Sequence, residues 1–304
     1  MRTIESRAAQ AQQQCLSFRE EYPFTHNFLE TPAGALHYVD EGPRDASPIL
    51  CVHGNPTWSF YYRRLIQACS HNQRVIAPDH LGCGLSDKPQ DWSYRLEDHI
   101  ANLERLVLEL DLRDITLVVH DWGGAIGCGL AVRHPERIAR VLVMNTAAFP
   151  GGRIPSRIRV CRTPFLGALA VRGFNGFARA AVEMAVENAG VMTPEVRKGY
   201  LAPYDSWNNR IAVQRFVEDI PLSPEHPSYA TLQAIDSDLR LLREKPIAIV
   251  WGEQDWCFTP AFRKQWERRF PLAKQLTIDE AGHYVLEEAH ERILPWFQAW
   301  QKES

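Results

Sequence analysis

Short apolar runs recur along this chain between stretches with helical spacing. Residues 36–39, 49–52, 75–77, 115–119, 141–144, 247–251 and 275–278 are each long enough for a strand, and several are rich in Val and Ile. Strands of this kind alternating with helices predict a mostly parallel sheet with helices on both faces. Within 95–110, Leu96, Ile100, Leu103, Val107 and Leu110 fall at helical spacing while Asp98, Glu104 and Glu109 take other faces. That pattern predicts a surface helix packed on the sheet. From Pro150 to about Pro221 the rhythm breaks, with Gly, Pro and Arg punctuating short helical stretches and no strand pattern. A helical insertion between the sixth and seventh strands fits both the length and the break.

The candidate chemistry begins where the strand 115–119 ends, in Leu117-Val118-Val119-His120-Asp121-Trp122-Gly123-Gly124. A β-branched run, a polar residue at the turn and glycines opening a helix predict a nucleophile elbow with Asp121 at its tip, where serine is the usual residue. A serine attacking a saturated carbon would form an ether that water does not cleave. An aspartate forms an ester that an activated water can remove, so the exchange points to chemistry at an sp3 carbon. Trp122 follows directly, and His53-Gly54-Asn55-Pro56 follows the strand 49–52. An indole N–H and an amide NH2 are neutral donors that can cradle a leaving anion. In these two motifs the chain resembles the haloalkane dehalogenases, an α/β-hydrolase family whose elbow reads Asp-Trp-Gly and whose leaving-group site pairs that Trp with the Asn of His-Gly-Asn-Pro. The resemblance implies an α/β-hydrolase fold with an eight-stranded, mostly parallel sheet and an inserted helical cap.

An aspartyl ester awaiting hydrolysis needs a general base, and Ala281-Gly282-His283-Tyr284 after the last strand supplies a histidine in the expected chain order of nucleophile, acid, His. The acid should end the strand before the cap or the one after it. The first ends in Asn145, which carries no charge; the second runs into Glu253-Gln254-Asp255. Resemblance to the dehalogenase subfamily whose acid follows this strand favours Asp255, with Glu253 the competing choice. His53, His80 and His120 sit in turns and at the elbow and are expected to be structural. The Gly-rich turn around His80 lacks the Lys-Ser/Thr pair of a phosphate cradle.

The cap text from Arg172 to Arg179 and from Leu201 to Trp207, with Gly282 to Glu287, is similar to one branch of this family, its third subfamily, which contains the β-lactone decarboxylases of bacterial long-chain olefin biosynthesis. The similarity covers nearly the whole chain after the N-terminal arm. It implies a cis-β-lactone with two long alkyl arms, converted to a cis-alkene and CO2, and assembly with other enzymes of that pathway. A hydrolytic haloalkane dehalogenase is the alternative, since halide and lactone need the same nucleophile and anion site. Epoxide hydrolases also use an elbow aspartate, with cap tyrosines stabilising the alkoxide; Tyr200 and Tyr204 keep that reading open, and Asn55 beside Trp122 argues against it. A non-enzymatic scaffold would require a broken triad, and every position is occupied.

Composition narrows the classes. A chain of 304 residues holds one large α/β domain with an insertion, expected as an arm at 1–24, a core at 25–149 and 222–304, and a cap at 150–221. A formal net charge of −3 and the absence of nucleic-acid modules set that partner class aside. Seven scattered cysteines without a Cys-x2-Cys pair predict reduced thiols in a cytoplasmic protein, with neither metal nor cofactor expected. The polar residues 1–14 read as a loosely held arm or short helix, with no signal peptide or membrane span. In the cap, Phe165, Leu166, Leu169, Phe174 and Phe177 are expected to pack the cap onto the core, the alternative being that some of them line an acyl-chain tunnel. Arg153, Arg157, Arg159, Arg162, Arg172 and Arg179 precede the first acid of that stretch, Glu183. Such a run is usually a solvated face, the alternative being a docking surface for an acidic partner or a membrane.

Overall fold

Strands buried along their whole length organise the molecule: β3 (Pro48–Val52), β5 (Ile115–Asp121) and β7 (Ile247–Gly252) expose no residue, as expected where helices cover both faces of a parallel sheet. The structure is a computed structural model that describes residues 3–151 and 154–303, so Arg153 lies outside the described residues. The remaining strands are β1 (Asn27–Thr31), β2 (Gly34–Glu41), β4 (Arg74–Pro78), β6 (Ile138–Thr146) and β8 (Lys274–Ile278). They form one eight-stranded sheet in the order β1-β2-β4-β3-β5-β6-β7-β8, antiparallel at the β1/β2 and β2/β4 pairs and parallel elsewhere. Seven of the eight strands coincide with the apolar runs. The eighth, β1, is an edge strand, Asn27–Thr31, with one buried residue, Phe28, and shows no apolar run.

Helix Leu96–Glu109 buries Leu96, His99, Ile100, Leu103, Leu106 and Val107. Helix Trp122–Arg133 follows β5 and is buried along most of its length. Its glycines are steric necessities, since a Cβ on Gly123 would fall 1.9 Å from the Val52 carbonyl oxygen and one on Gly124 would fall 1.9 Å from Thr146 Oγ1. The helix N-terminus is thus wedged between β3 and β6, which fixes where Asp121 emerges.

Between β6 and β7 the described residues contain no strand, and the helices include Ser156–Cys161, Gly176–Met184, Pro194–Leu201 and Ile211–Glu218. Helix Tyr229–Asp238 returns to the core, placing Leu232 and Ile235 in the same cluster as Ile100 and Leu130. Two of the insertion helices touch the sheet side directly: Trp58 Nε1 donates to the Gly199 carbonyl at 3.1 Å, and Asn55 Nδ2 donates to that of Val213 at 3.2 Å. The expected packing of the cap phenylalanines and leucines onto the core is corrected by the structure. Phe165, Leu166, Leu169 and Phe174 are exposed, and Phe177 alone of the five lines the internal cavity. Of the two forms expected for the N-terminal segment, the structure shows the helix: Ile4–Cys15 is capped by Thr3, buries Ala11 and Cys15, and pairs Arg7 with Asp87 at 2.7 Å.

Candidate active site

Asp121 stands at the junction of β5 and helix Trp122–Arg133 with φ 52° and ψ −127°, a conformation costly for a residue with a side chain. Neighbours over-determine it. Thr146 Oγ1 donates to its carbonyl, and a Cβ on Gly54 would sit 2.0 Å from its Oδ1, so only glycine lets the 53–56 turn approach. The approach brings the Asn55 backbone N–H to 2.6 Å from Asp121 Oδ1. One carboxylate oxygen is therefore fixed by a backbone donor, while Oδ2 lies 3.6 Å from His283 Nε2, an ion-pair distance longer than a hydrogen bond.

The turn after β8 presents His283, whose Nδ1 lies 2.8 Å from Asp255 Oδ2. Asp255 is buried and its other oxygen accepts the backbone N–H groups of Cys257 at 2.6 Å and Phe258 at 3.0 Å. Asn145, at the end of β6, donates Nδ2 to Asp255 Oδ2 at 3.0 Å and to the Gly252 carbonyl at 3.1 Å, while its Oδ1 accepts the Gly252 N–H at 2.8 Å. The position where an acid was sought thus holds a neutral donor that orients the acid on the next strand. Glu253 points elsewhere, to Arg263 at 2.7 Å.

Burial alone would lower the His283 imidazole, but the Asp255 and Asp121 carboxylates on either side override it and raise its pKa to about 10. Burial alone would raise Asp121, yet His283 and the Asn55 N–H outweigh it and hold the carboxyl below its ordinary value. The shifts run in the directions that favour a carboxylate at Asp121 and an imidazolium at His283.

A cavity of about 450 Å³ opens over Asp121, in the range of small-molecule sites. Asn55, Trp122 and His283 line it together with apolar groups such as Phe149, Ile158, Phe177 and Phe258. Asn55 Oδ1 has no hydrogen-bond partner although buried. Exchanging its amide O and N would set two carbonyl oxygens against each other at Val213, so the orientation with Nδ2 toward Val213 is the favourable one.

His53, His80 and His120 are held by backbone. His53 Nδ1 donates to the Gly54 carbonyl and its Nε2 accepts the His80 N–H; His80 Nε2 donates to the His53 carbonyl, and His120 Nε2 to that of His283. Burial pushes His120 down to about 3, so it is neutral. Neither Tyr200 nor Tyr204 lines the cavity: the first donates to Glu287 at 2.7 Å and the second faces the Thr57 carbonyl at 3.5 Å. The cap tyrosines needed for an epoxide-opening site are turned away.

Contacts absent from the sequence reading fasten the insertion to the loops that carry His283 and Asp255. Trp256 Nε1 donates to the Met184 carbonyl at 2.6 Å and the Tyr284 N–H to that of Ala185 at 2.8 Å. Glu288 accepts the N–H groups of Gly282, Glu187 and Asn188 at 2.7–2.8 Å. Such long-range pairings leave no local sequence signal.

A family model for the α/β hydrolase fold matches residues 47–290. The chain is 42% identical to a cis-3-alkyl-4-alkyloxetan-2-one decarboxylase from Shewanella oneidensis over 93% of this chain and 90% of that protein. It is 33% identical to a haloalkane dehalogenase from Mycobacterium marinum over 90% of this chain and 94% of the relative. Among solved structures, the haloalkane dehalogenase DbeA from Bradyrhizobium elkani superposes with a TM-score of 0.82 at 24% identity, covering 92% of this chain and 100% of that one. The chain belongs to the α/β-hydrolase fold family and, within it, to the group of enzymes that holds the haloalkane dehalogenases and the cis-3-alkyl-4-alkyloxetan-2-one decarboxylases.

Proposed function

We propose that this enzyme decarboxylates a cis-3,4-dialkyl β-lactone to a cis-alkene, with Asp121 as nucleophile, His283 and Asp255 completing an Asp-His-Asp triad, and Asn55 and Trp122 binding the leaving carboxylate. The observation that carries the reading is the pairing of an ionised Asp121 beneath an apolar cavity with relatives at 40–42% identity named for that lactone reaction.

The steps balance without water. Asp121 Oδ2 attacks the β-carbon, the ring C–O bond breaks, and its electrons become the carboxylate on the α-carbon. The bond from the α-carbon to that carboxylate then breaks, releasing CO2; its electrons form the double bond and expel Asp121. Inversion in the first step followed by anti elimination in the second converts a cis ring into a cis-alkene. One Asn55 amide hydrogen serves Val213, and the other, with the Trp122 indole N–H, is offered to the emerging carboxylate. Donors to a developing anion are worth about 3 kcal/mol each. His283 as imidazolium keeps Asp121 ionised until it attacks.

Haloalkane hydrolysis is the second reading, favoured by the Asp121–His283–Asp255 alignment. Esterification removes the charge of Asp121, which lowers the His283 pKa and frees it to activate water. Residues 150–221 act as the cap in either case. A cytoplasmic location and assembly with the enzymes that supply the lactone belong to the same proposal. Incubating the purified protein with a cis-dialkyl β-lactone and with 1-bromobutane side by side tests it. Alkene from the first with little bromide from the second is the expected result; bromide release with an untouched lactone would favour the dehalogenase.

A further inference from the structure

The insertion displays an apolar face that no described residue covers. Phe165 is 90% exposed, Leu166 69%, Phe174 68%, Val160 59% and Leu169 48%. Phe165 has a φ of 59°, a region that disfavours a phenylalanine, and the strained turn turns its ring into solvent instead of the core. Scattered single apolar residues need no explanation, whereas a cluster within one segment marks an interaction site.

Within the segment that carries it, the charge has one sign. No Asp or Glu occurs between positions 154 and 182, while Arg157, Arg159, Arg162, Arg172 and Arg179 do. Arg162 and Arg172 are engaged inward, the first by the Val217 and Ile220 carbonyls and the second by the Trp207 carbonyl. Arg159 and Arg179 are exposed, and their side chains make no hydrogen bond or ion pair with any described residue. Trp207, 45% exposed, lies under the Arg172 guanidinium at 4.6 Å.

We propose that this face of the insertion docks on an anionic lipid bilayer, with Phe165, Leu166 and Phe174 entering the boundary between headgroups and acyl chains and Arg159 and Arg179 pairing with lipid phosphates. The apolar tips with cationic side chains beside them, and a Trp at their edge, match the chemistry of interfacial anchoring. An acidic protein partner is the lesser fit, because exposed rings on a strained turn give it no groove to complement. The net charge of the chain is −3, so attraction to an anionic surface must come from this face and not from the whole molecule. No helix among the described residues is long and apolar enough to cross a membrane, so the attachment is peripheral. The face continues into the cavity wall, since Arg157, Ile158 and Cys161 of helix Ser156–Cys161 line that cavity. Docking would bring an apolar chain in the membrane close to the site. Binding itself is independent of the substrate reading.

Flotation of the full chain with vesicles of phosphatidylglycerol and phosphatidylcholine, against vesicles of phosphatidylcholine alone, tests the proposal in the absence of substrate. The wild type is expected to float with the anionic vesicles and to be released by high salt. The Phe165→Ser with Leu166→Ser variant and the Arg159→Glu with Arg179→Glu variant should each bind about 10-fold more weakly or worse, at an unchanged thermal midpoint. None of these four residues lines the cavity. Failure of the wild type to float with anionic vesicles, or flotation of the charge-reversed variant equal to wild type, would overturn the proposal and leave the face to a protein partner.

Discussion

Asn145 Nδ2 lies 3.0 Å from Asp255 Oδ2, the same oxygen that receives His283 Nδ1 at 2.8 Å. One strand end therefore supplies the acid and the neighbouring strand end supplies the donor that holds it. Asn145 also closes a two-way bridge with the Gly252 backbone. Asn145→Ala should leave that buried N–H without a partner and lower stability by roughly 1–3 kcal/mol. Urea unfolding checks this, and a midpoint equal to wild type would mean that the bridge contributes nothing.

The role of the acid separates two neighbours. Asp255→Asn removes the carboxylate beside His283, whereas Glu253 is occupied by Arg263. On a haloalkane, where His283 must activate water, Asp255→Asn should lower turnover on the order of 10²- to 10⁴-fold, with Glu253→Gln near wild type. Steady-state kinetics of the two variants decides the point. Equal losses would void the assignment of Asp255.

How much of this was readable in advance follows from where each signal lies. The elbow is local: a β-branched run, Asp121 and glycines in sequence suffice, and the structure seats them against Val52 and Thr146 as the steric limits of Gly123 and Gly124 require. The inner strands were legible because burial on both faces leaves apolar runs; of the two edge strands, each with one buried residue, β8 still carries Leu276 and Ile278 in alternation, whereas β1 offers only Phe28 and Leu29 between polar residues. Asn145 was readable as a position but not as a partner of Asp255, since that contact spans residues distant in sequence. The fate of Phe165 and Phe177 was equally hidden: both are apolar residues of one insertion, yet one faces solvent and the other the cavity. Hydrophobicity states what a residue gains by burial and not whether its backbone turns it inward.

His283 should make stability depend on pH in a defined direction. Its folded pKa of about 10 exceeds the ordinary 6.5, so the folded protein holds the proton more tightly than the unfolded chain. Its contribution is fully present below the ordinary value and is lost as pH rises through about 10. Asp121, lowered, contributes above its ordinary 3.8 and loses that as pH falls. Urea midpoints of the wild type and His283→Phe should therefore converge as pH climbs through the folded value. A difference that stays constant across that range would contradict the ion pair.

Leaving-group binding can be weighed against the nucleophile. Asn55 and Trp122 both line the cavity over Asp121, so Asn55→Ala and Trp122→Phe should each lower turnover by roughly 10- to 1000-fold, equivalent to about 1.4–4 kcal/mol per donor. Circular dichroism confirms folding before the rates are compared. Near-wild-type turnover in both variants would place the anion elsewhere.

The central claim is that a β-lactone loses CO2 through a covalent ester on Asp121, which then leaves. The direct measurement is product analysis by gas chromatography with mass spectrometry after reacting wild type and Asp121→Ala with matched cis- and trans-3,4-dialkyl β-lactones. The account predicts that the wild type converts the cis-lactone to cis-alkene and CO2 in equal amounts, that any trans-lactone consumed yields trans-alkene, and that Asp121→Ala forms neither. A β-hydroxy acid as the wild-type product, or alkene formed by Asp121→Ala at a comparable rate, would contradict it.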